Sequence, residues 1–201
     1  MVLSDGYSDV PAGKLAAVVT CLEMTHPASA RPETTTPSWT LRRIVHPTVA
    51  AYRALFGYVG YEWLWSSRLA MQDERLQAIL DNAQVWVYAL SINGQDEGLL
   101  ELDFREVGEC ELAFFGLSPV ARDRGAGRWL MNRAIELAWQ QPIGRLWVHT
   151  CTLDHPKALA FYLRSGFVAY ERRVEVFDDP RVLGQVSQSA APDVPLIVSS
   201  Q

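Results

Sequence analysis

The middle of the chain places one full helix between two strand-like segments. Residues 110–118 (CELAFFGLS) and 145–150 (RLWVHT) are rich in the aromatic and aliphatic residues that favour strands. The apolar residues between them fall on one helical stripe: Trp129, Leu130, Ala134, Leu137 and Ala138. Strands joined through a whole helix are parallel neighbours with a right-handed crossover. This part of the chain therefore predicts a parallel strand pair.

The elements before this crossover predict antiparallel strands instead. Asn93-Gly94 favours a two-residue hairpin, and strand-like segments flank it. The predicted elements are a strand over 39–45, helices over 46–61 and 72–82, and strands over 85–92 and 97–105. Asp73 has the residue type of a helix N-cap. Together with a helix over 155–164 and a last strand over 167–177, the pattern predicts a mixed sheet, antiparallel at its start and parallel at its middle.

The two ends of the chain differ from its middle in composition and in hydrophobic pattern. Residues 14–24 (KLAAVVTCLEM) predict either one short strand or a helix turn, because no clear periodicity decides between them. Residues 25–38 are rich in Pro, Thr and Ser, which indicates a linker or surface segment. We therefore divide the chain into an N-terminal extension over 1–38, a domain over 39–180 and a C-terminal tail over 181–201.

Composition excludes several classes of function. The 18 basic and 23 acidic residues give a net charge of −5, which argues against a nucleic-acid backbone as partner. No apolar run approaches the ~20 residues of a membrane span, and residues 1–13 carry no basic residue of the kind that begins a secretory signal. We therefore expect a cytoplasmic protein with no membrane partner. The three cysteines have no paired spacing, so neither a disulfide framework nor a metal site is expected.

A glycine turn lies between the strand over 110–118 and the helix that follows it. The sequence is Arg122-Asp-Arg-Gly125-Ala-Gly127, and the backbone amides from Arg124 to Arg128 would point out of the helix start. Unpaired amides and the helix dipole favour an anion such as a diphosphate. The side chains of Arg122, Arg124 and Arg128 could add charge-assisted bonds. A glycine turn with a solvated basic rim is the alternative interpretation.

Two other phosphate-binding loops do not fit these residues. A Walker A loop needs Lys followed by Ser or Thr after its last glycine, whereas Arg128 and Trp129 follow Gly127. A dinucleotide fingerprint needs a third small residue where Leu130 stands. The turn by itself therefore predicts an anion site of another kind.

A second motif follows the next strand. It is Ala158-x-x-x-Tyr162-x-x-x-Gly166-Phe167, where Gly166 has the position of a helix C′ glycine. The two motifs in this order resemble the GNAT superfamily, which contains acetyl-CoA-dependent N-acyltransferases. The resemblance covers roughly residues 39–177. It implies an α+β fold: a mixed, mostly antiparallel twisted sheet of about six or seven strands, splayed at its middle, with about four flanking helices.

The resemblance also implies where acetyl-CoA would bind as co-substrate. The pantetheine arm would pair with the strand edge at Phe115, Gly116 and Leu117, and a backbone N–H there would polarise the thioester carbonyl. The diphosphate would lie on the glycine turn, whose implied ligands are Arg122, Arg124, Gly125, Ala126, Gly127 and Arg128. His155 stands where the family often has Asn, and either replaces it as a donor or starts the helix.

Two residues match catalytic positions of the family. Tyr162 would donate a proton to the leaving thiolate, although a core tyrosine is the alternative. Glu111 would take the proton of the acceptor amine, with Glu109, Glu101 or a water chain as rivals. Cys151 raises a ping-pong mechanism as an alternative, but a structural cysteine is favoured over a nucleophile. Direct attack within a ternary complex is the preferred mechanism, and no metal is required.

An unusually aromatic region precedes the hairpin: Phe56, Tyr58, Tyr61, Trp63 and Trp65. These residues either fill the core or line a pocket for an amine. We therefore expect a small-molecule or peptide amine as acceptor and leave a homodimer open. Two other functions stay open as well: an acyl-CoA-binding module without catalysis, and a nucleotide-binding domain.

Overall fold

The computed structural model describes residues 3–33 and 39–198, which form one seven-stranded sheet with helices on both faces. The strands are β1 (Lys14–Met24), β2 (Trp39–Ile44), β3 (Val85–Ile92), β4 (Gln95–Asp103), β5 (Glu109–Leu117), β6 (Arg145–Cys151) and β7 (Val168–Asp178). Their order in the sheet is β2-β3-β4-β5-β6-β1-β7. β5 and β6 pair in parallel, and the other described neighbours pair antiparallel. The predicted mixed α+β fold is confirmed.

Five helices flank the sheet, one more than expected, because the short α2 gave no signal in the sequence. They are α1 (Val49–Gly60), α2 (Ser67–Ala70), α3 (Asp73–Leu80), α4 (Ala126–Trp139) and α5 (Ala158–Arg164). Asp73 is not the N-cap of α3 as predicted. Gln72 holds that position, and the Asp73 carboxylate in the first turn accepts from Arg53 at 2.6 Å. No helix within the described ranges could cross a membrane.

Strand β1 belongs to the sheet, so the folded unit begins before the predicted boundary at residue 39. β1 pairs with β6 on one side and with β7 on the other. Its first half alternates between exposed and buried residues, but Val19 to Leu22 are all buried. Where both faces of a strand are buried, apolar residues no longer alternate with polar ones, and the alternation by which a strand is recognised in the sequence is lost.

Residues 179–198, the C-terminal segment that follows β7, are also folded, whereas the sequence predicted a tail over 181–201. Asp179 and Arg181 form an ion pair at 2.7 Å whose side chains are each only 2% exposed. Arg181 also donates to the carbonyl of Val194 at 2.7 Å. Buried charges persist only where they are paired and hydrogen-bonded. This ion pair therefore connects the start of the C-terminal segment to the turn at Val194. Ala190 and Ala191 then pack in a small core with Leu15 and Leu64. Partly buried apolar side chains surround this core: Leu153, Phe177, Val186 and Val194.

The sheet splits between β5 and β6, as expected from the family resemblance. The two strands pair from Glu109 with Arg145 to Glu111 with Trp147, and both then continue without pairing to each other. On its other side β5 carries a β-bulge, because Glu101 of β4 faces Phe114 while the next residue faces Leu112. A bulge bends its strand and increases the local twist. It therefore lies where β5 turns away from β6.

Each face of the sheet has its own apolar core. Side chains of α1 and α3 pack on β3 and β4 on one face, around Phe56, Leu76 and Leu99. Side chains of α4 and Tyr162 of α5 pack on the opposite face, around Leu130 and Leu146. The gap between β5 and β6 therefore lies between the two apolar cores.

A buried ion pair joins α2 to the centre of the sheet. Glu101 of β4 is fully buried, and its Oε1 accepts from Nη2 of Arg68 at 2.5 Å. The hydroxyl of Tyr52 donates to the other oxygen of the same carboxylate. These contacts make Glu101 part of the core, which removes it as a rival for the role of base.

We expect Arg68→Met to lower the free energy of unfolding by about 3–5 kcal/mol, because it leaves a buried carboxylate without its cation. Arg75 on the exposed face of α3 forms no ion pair within the described ranges. Arg75→Met is therefore the matched control and should change stability by less than about 0.5 kcal/mol. Urea unfolding measures both. Equal effects of the two substitutions would contradict the role of the pair.

Candidate active site

The gap between β5 and β6 is a cavity of about 660 Å³. It extends from the glycine turn at the start of α4, along β5, to the ends of β6 and α5. Predicted site residues among its lining are Phe115, Gly116, Leu117, Arg122, Gly125, Gly127, Arg128, His155 and Tyr162. Arg124, Ala126 and Glu111 are not in the lining: the Arg124 side chain is exposed and Ala126 is buried.

The glycine turn presents the free amides of α4 to this cavity. Gly125 has φ 86° and precedes the first helical residue, a conformation that favours glycine. The first intrahelical bond runs from the N–H of Trp129 to the carbonyl of Gly125, at 3.1 Å. The amides of Ala126, Gly127 and Arg128 precede that bond, and no described side chain caps them. The helix start is therefore a donor site with a positive dipole end.

Positive side chains flank the turn. Arg122 pairs with Glu62 and stacks over the ring of Trp63, with 5.4 Å from guanidinium to ring centroid. Lys157 pairs with Asp123 at 3.5 Å. His155 Nδ1 accepts from the Lys157 amide at 3.0 Å, which leaves its proton on Nε2. Burial and these two cations lower the pKa of His155, so the ring is neutral.

The edge of β5 forms one wall of the cavity. Phe115, Gly116 and Leu117 pair with β4 on one side, and their other edge faces the gap that β6 has left. Gly116 is required by packing: a Cβ there would lie 2.4 Å from Cγ1 of Val59 and 2.8 Å from Cη2 of Trp65. The backbone at this point is therefore covered from one face and open along its edge.

Trp65 spans the gap between the separated strands. Its ring packs against Phe114 of β5 with centroids 5.4 Å apart, and its Nε1 donates to Oδ1 of Asp154 at 3.3 Å. Oδ2 of Asp154 accepts from Oγ1 of Thr150 at 2.7 Å and from the amide of Cys151 at 2.8 Å. Asp154 thus ties the indole to the end of β6, a role that no sequence motif indicated.

The five aromatic residues named from the sequence divide between core and cavity. Trp63 and Trp65 line the cavity. Phe56 is fully buried in the core beneath α1. Tyr58 donates to Glu97 at 2.9 Å, and the exposed Tyr61 bonds to Ser189 of the C-terminal segment at 3.1 Å. Two of the five therefore belong to the site.

Tyr162 lies at the inner end of the cavity, buried among aromatic rings. Phe115 and Phe167 meet its ring edge-on, at 6.3 and 5.9 Å between centroids. Burial, with a smaller contribution from Asp154, raises the pKa of Tyr162 well above its usual value. The hydroxyl therefore stays protonated at every physiological pH.

Glu111 lies where the two strands part. Burial, with the nearby charges of Asp103 and Glu101, raises the pKa of Glu111 to about 7. Its Oε1 is 3.5 Å from Nδ1 of His149, which does line the cavity. Glu111 therefore reaches the cavity through His149. The rival Glu109 is paired with Arg145 at 3.1 Å and is not in the lining.

Cys151 lines the cavity beside Asp154. Burial, with the charge of Asp154, raises the pKa of its thiol to about 11. A protonated thiol is a poor nucleophile, so the environment of Cys151 disfavours a ping-pong mechanism.

Comparisons with known proteins indicate the family and the fold of the chain. The model of the acetyltransferase (GNAT) family matches residues 46–167, while no curated protein sequence matches the chain. A conserved protein of unknown function from Staphylococcus epidermidis has a similar structure, with 12% identity and TM-score 0.58, over 83% of this chain and 63% of that one.

Two further solved structures are similar. For a GCN5-related N-acetyltransferase from Kribbella flavida, identity is 15% and TM-score 0.55, over 84% of this chain and 60% of that one. For an aminoglycoside acetyltransferase from an uncultured soil metagenomic sample, identity is 15% and TM-score 0.55, over 69% of this chain and 93% of that one. The chain thus covers less than two thirds of the first two structures. The matched range holds both sequence motifs and most of the cavity wall, and the chain belongs to the GNAT acetyltransferase family.

Proposed function

We propose that the protein is an N-acetyltransferase that moves an acetyl group from acetyl-CoA to a primary amine by direct attack in a ternary complex. The observation that carries this proposal is the continuous cavity between β5 and β6. It joins the free amides of α4, the open edge of β5, and the two titratable groups Tyr162 and Glu111, the latter through His149.

The residues of the cavity fit a coenzyme A thioester. The amides of Ala126, Gly127 and Arg128 would bind the diphosphate, and the Arg122 side chain would add charge beside it. The open edge of β5 from Phe115 to Leu117 would bind the amide groups of the pantetheine arm. When bound, the thioester supplies an activated acetyl group beside Gly116.

The acceptor amine must lose a proton before it can attack, because a free alkylamine has a pKa of about 10.4. In the proposed mechanism Glu111 receives that proton through His149, and the free amine forms a C–N bond at the thioester carbonyl. The C–S bond then breaks as Tyr162 donates its proton to the departing sulfur. The nitrogen releases its second proton to solvent, and solvent returns a proton to Tyr162. Holding both reactants in line could contribute about 7–11 kcal/mol by itself. The residues therefore act mainly by orientation and by moving two protons.

Charge is distributed unevenly along the cavity and favours a cationic acceptor. The end at the glycine turn is lined by Arg122, which pairs with Glu62, by Lys157, which pairs with Asp123, and by Arg128, which forms no ion pair among the described residues. Asp154 and Glu175 line another part of the cavity, beside Cys151, and burial together with the negative charges of both carboxylates raises the pKa of the Cys151 thiol. Opposite potentials at the two ends would attract an anionic cofactor to one and an ammonium group to the other.

The proposal is tested first by thermal unfolding with acetyl-CoA. A ligand of the folded state at 100 times its Kd stabilises by about 2.7 kcal/mol, so the melting temperature should rise. Gly127→Asp should abolish the rise, because its carboxylate would repel the diphosphate. A Cβ at residue 127 meets no atom closer than 3.6 Å, so the fold should be kept.

Gly57→Asp on α1 is the matched control, since a Cβ there meets nothing within 4 Å and Gly57 does not line the cavity. It should keep the full response to acetyl-CoA. Release of thiol is then measured with a polyamine, an amino acid, a peptide N-terminus and a xenobiotic amine. Binding without turnover on any amine would favour a sensing module, and tighter binding of a dinucleotide would favour a nucleotide-binding domain.

The pH dependence of turnover tests Glu111. A base must be deprotonated, so kcat at saturating amine should fall below about pH 7, where the raised pKa of Glu111 protonates it. Glu111→Gln should lower kcat and remove this inflection. Glu109→Gln, the control at the carboxylate paired with Arg145, should keep it. An unchanged inflection in Glu111→Gln would exclude Glu111 as the base.

Tyr162→Phe tests the acid. Loss of a positioned proton donor should lower kcat by roughly 10²–10⁴ while the Kd of acetyl-CoA stays within about threefold, because the ring and its packing are kept. Phe161→Leu is a control that alters a neighbouring ring in the lining but removes no donor. A kcat of Tyr162→Phe equal to that of the unmodified protein would show that Tyr162 is a core residue only.

A further inference from the structure

Three arginines line the cavity and form no ion pair within residues 3–33 and 39–198. They are Arg31 from the segment after β1, Arg128 from the first turn of α4, and Arg164 from the end of α5. The nearby carboxylates are engaged elsewhere: Glu33 with Arg133 at 2.7 Å, and Asp123 with Lys157 at 3.5 Å. Among the described residues, no carboxylate lies within ion-pair distance of the three guanidinium groups.

Backbone contacts hold Arg31 at this place, and its side chain forms no hydrogen bond or ion pair with the part of the chain that the structure describes. The amide of Arg31 donates to Oδ1 of Asn132 at 3.1 Å, and Nδ2 of Asn132 donates back to the Arg31 carbonyl at 2.8 Å. Asn132 is a buried residue of α4. Arg128 donates to the carbonyl of Pro32 at 2.8 Å, which fixes the same segment a second time. This segment is therefore part of the cavity wall, although its composition predicted a linker.

The three like charges oppose one another. Burial is the main cause that lowers the pKa of Arg31, and the positive charges of Arg128 and Arg164 lower it further. The whole chain has a net charge of −5, so this cluster does not follow from an excess of basic residues. A bound anion of high charge would offset both the repulsion and the desolvation.

We infer that Arg31, Arg128 and Arg164 form a second anion site that binds a phosphomonoester, separate from the diphosphate site on the amides of α4. Arg128 connects the two sites, because its amide belongs to the helix start and its side chain to the cluster. Coenzyme A carries a phosphomonoester on its ribose besides the diphosphate. The inference rests on the proposed function and specifies it: the site selects CoA thioesters over their dephospho forms.

Titration calorimetry with CoA and with dephospho-CoA tests this inference. The unmodified protein should bind dephospho-CoA at least roughly tenfold more weakly than CoA. Arg31→Gln and Arg164→Gln should each reduce that ratio roughly threefold, and the double variant should bring it near one. The Kd of dephospho-CoA itself should stay unchanged, which also shows that the variants are folded. Raising the salt concentration should reduce the ratio in the unmodified protein.

Arg172→Gln on β7 is the matched control, because Arg172 is exposed and does not line the cavity. It should keep the ratio of the unmodified protein. Equal Kd values of CoA and dephospho-CoA for the unmodified protein would overturn the inference but leave the proposed function standing. Failure of both ligands to bind would overturn the proposed function and this inference with it.

Discussion

The separation of β5 from β6 is the feature on which the site depends. The two strands pair over only three residues, from Glu109 to Glu111, and beyond them β5 keeps ladder partners on the β4 side alone. Backbone donors and acceptors inside a protein need partners, so an open edge within the sheet is a place for water or a ligand. Val59 and Trp65 cover one face of this edge and leave no room for a side chain at residue 116, which is glycine. The fold thus leaves an extended segment of main chain able to pair with a second extended molecule.

The segments at both ends of the chain complete this site. The residues after β1 bring Arg31 to α4, and the C-terminal segment packs Ala190 and Ala191 against Leu64. Leu64 has φ 54°, an uncommon conformation for a leucine, and it lines the cavity between the two tryptophans. Packing against the C-terminal segment therefore holds the aromatic wall in place. The predicted linker thus contributes Arg31 to the cavity, and the described part of the predicted tail supports the cavity wall by packing against Leu64.

The fold could be predicted where a local pattern determines it. The hairpin at Asn93-Gly94, the helix after Gly125 and the crossover to β6 all follow from short-range rules, and the structure has each of them. Contacts between residues distant in sequence left no such pattern. The pairing of β1 with β6, the Trp65–Asp154 bond and the Arg31 cluster join residues that are tens of residues apart or more. The roles of Glu111 and Tyr162 remain predictions, but their burial and the raised pKa of each agree with a base near neutral pH and an acid that keeps its proton.

A crystal structure of the protein with acetyl-CoA would show whether the open edge of β5 and the start of α4 bind the cofactor. We expect the diphosphate within hydrogen-bond distance of the amides of Ala126, Gly127 and Arg128, with the pantetheine amides paired to the main chain between Phe115 and Leu117. A thioester bound elsewhere, with the edge of β5 left open or closed by side chains, would contradict this expectation.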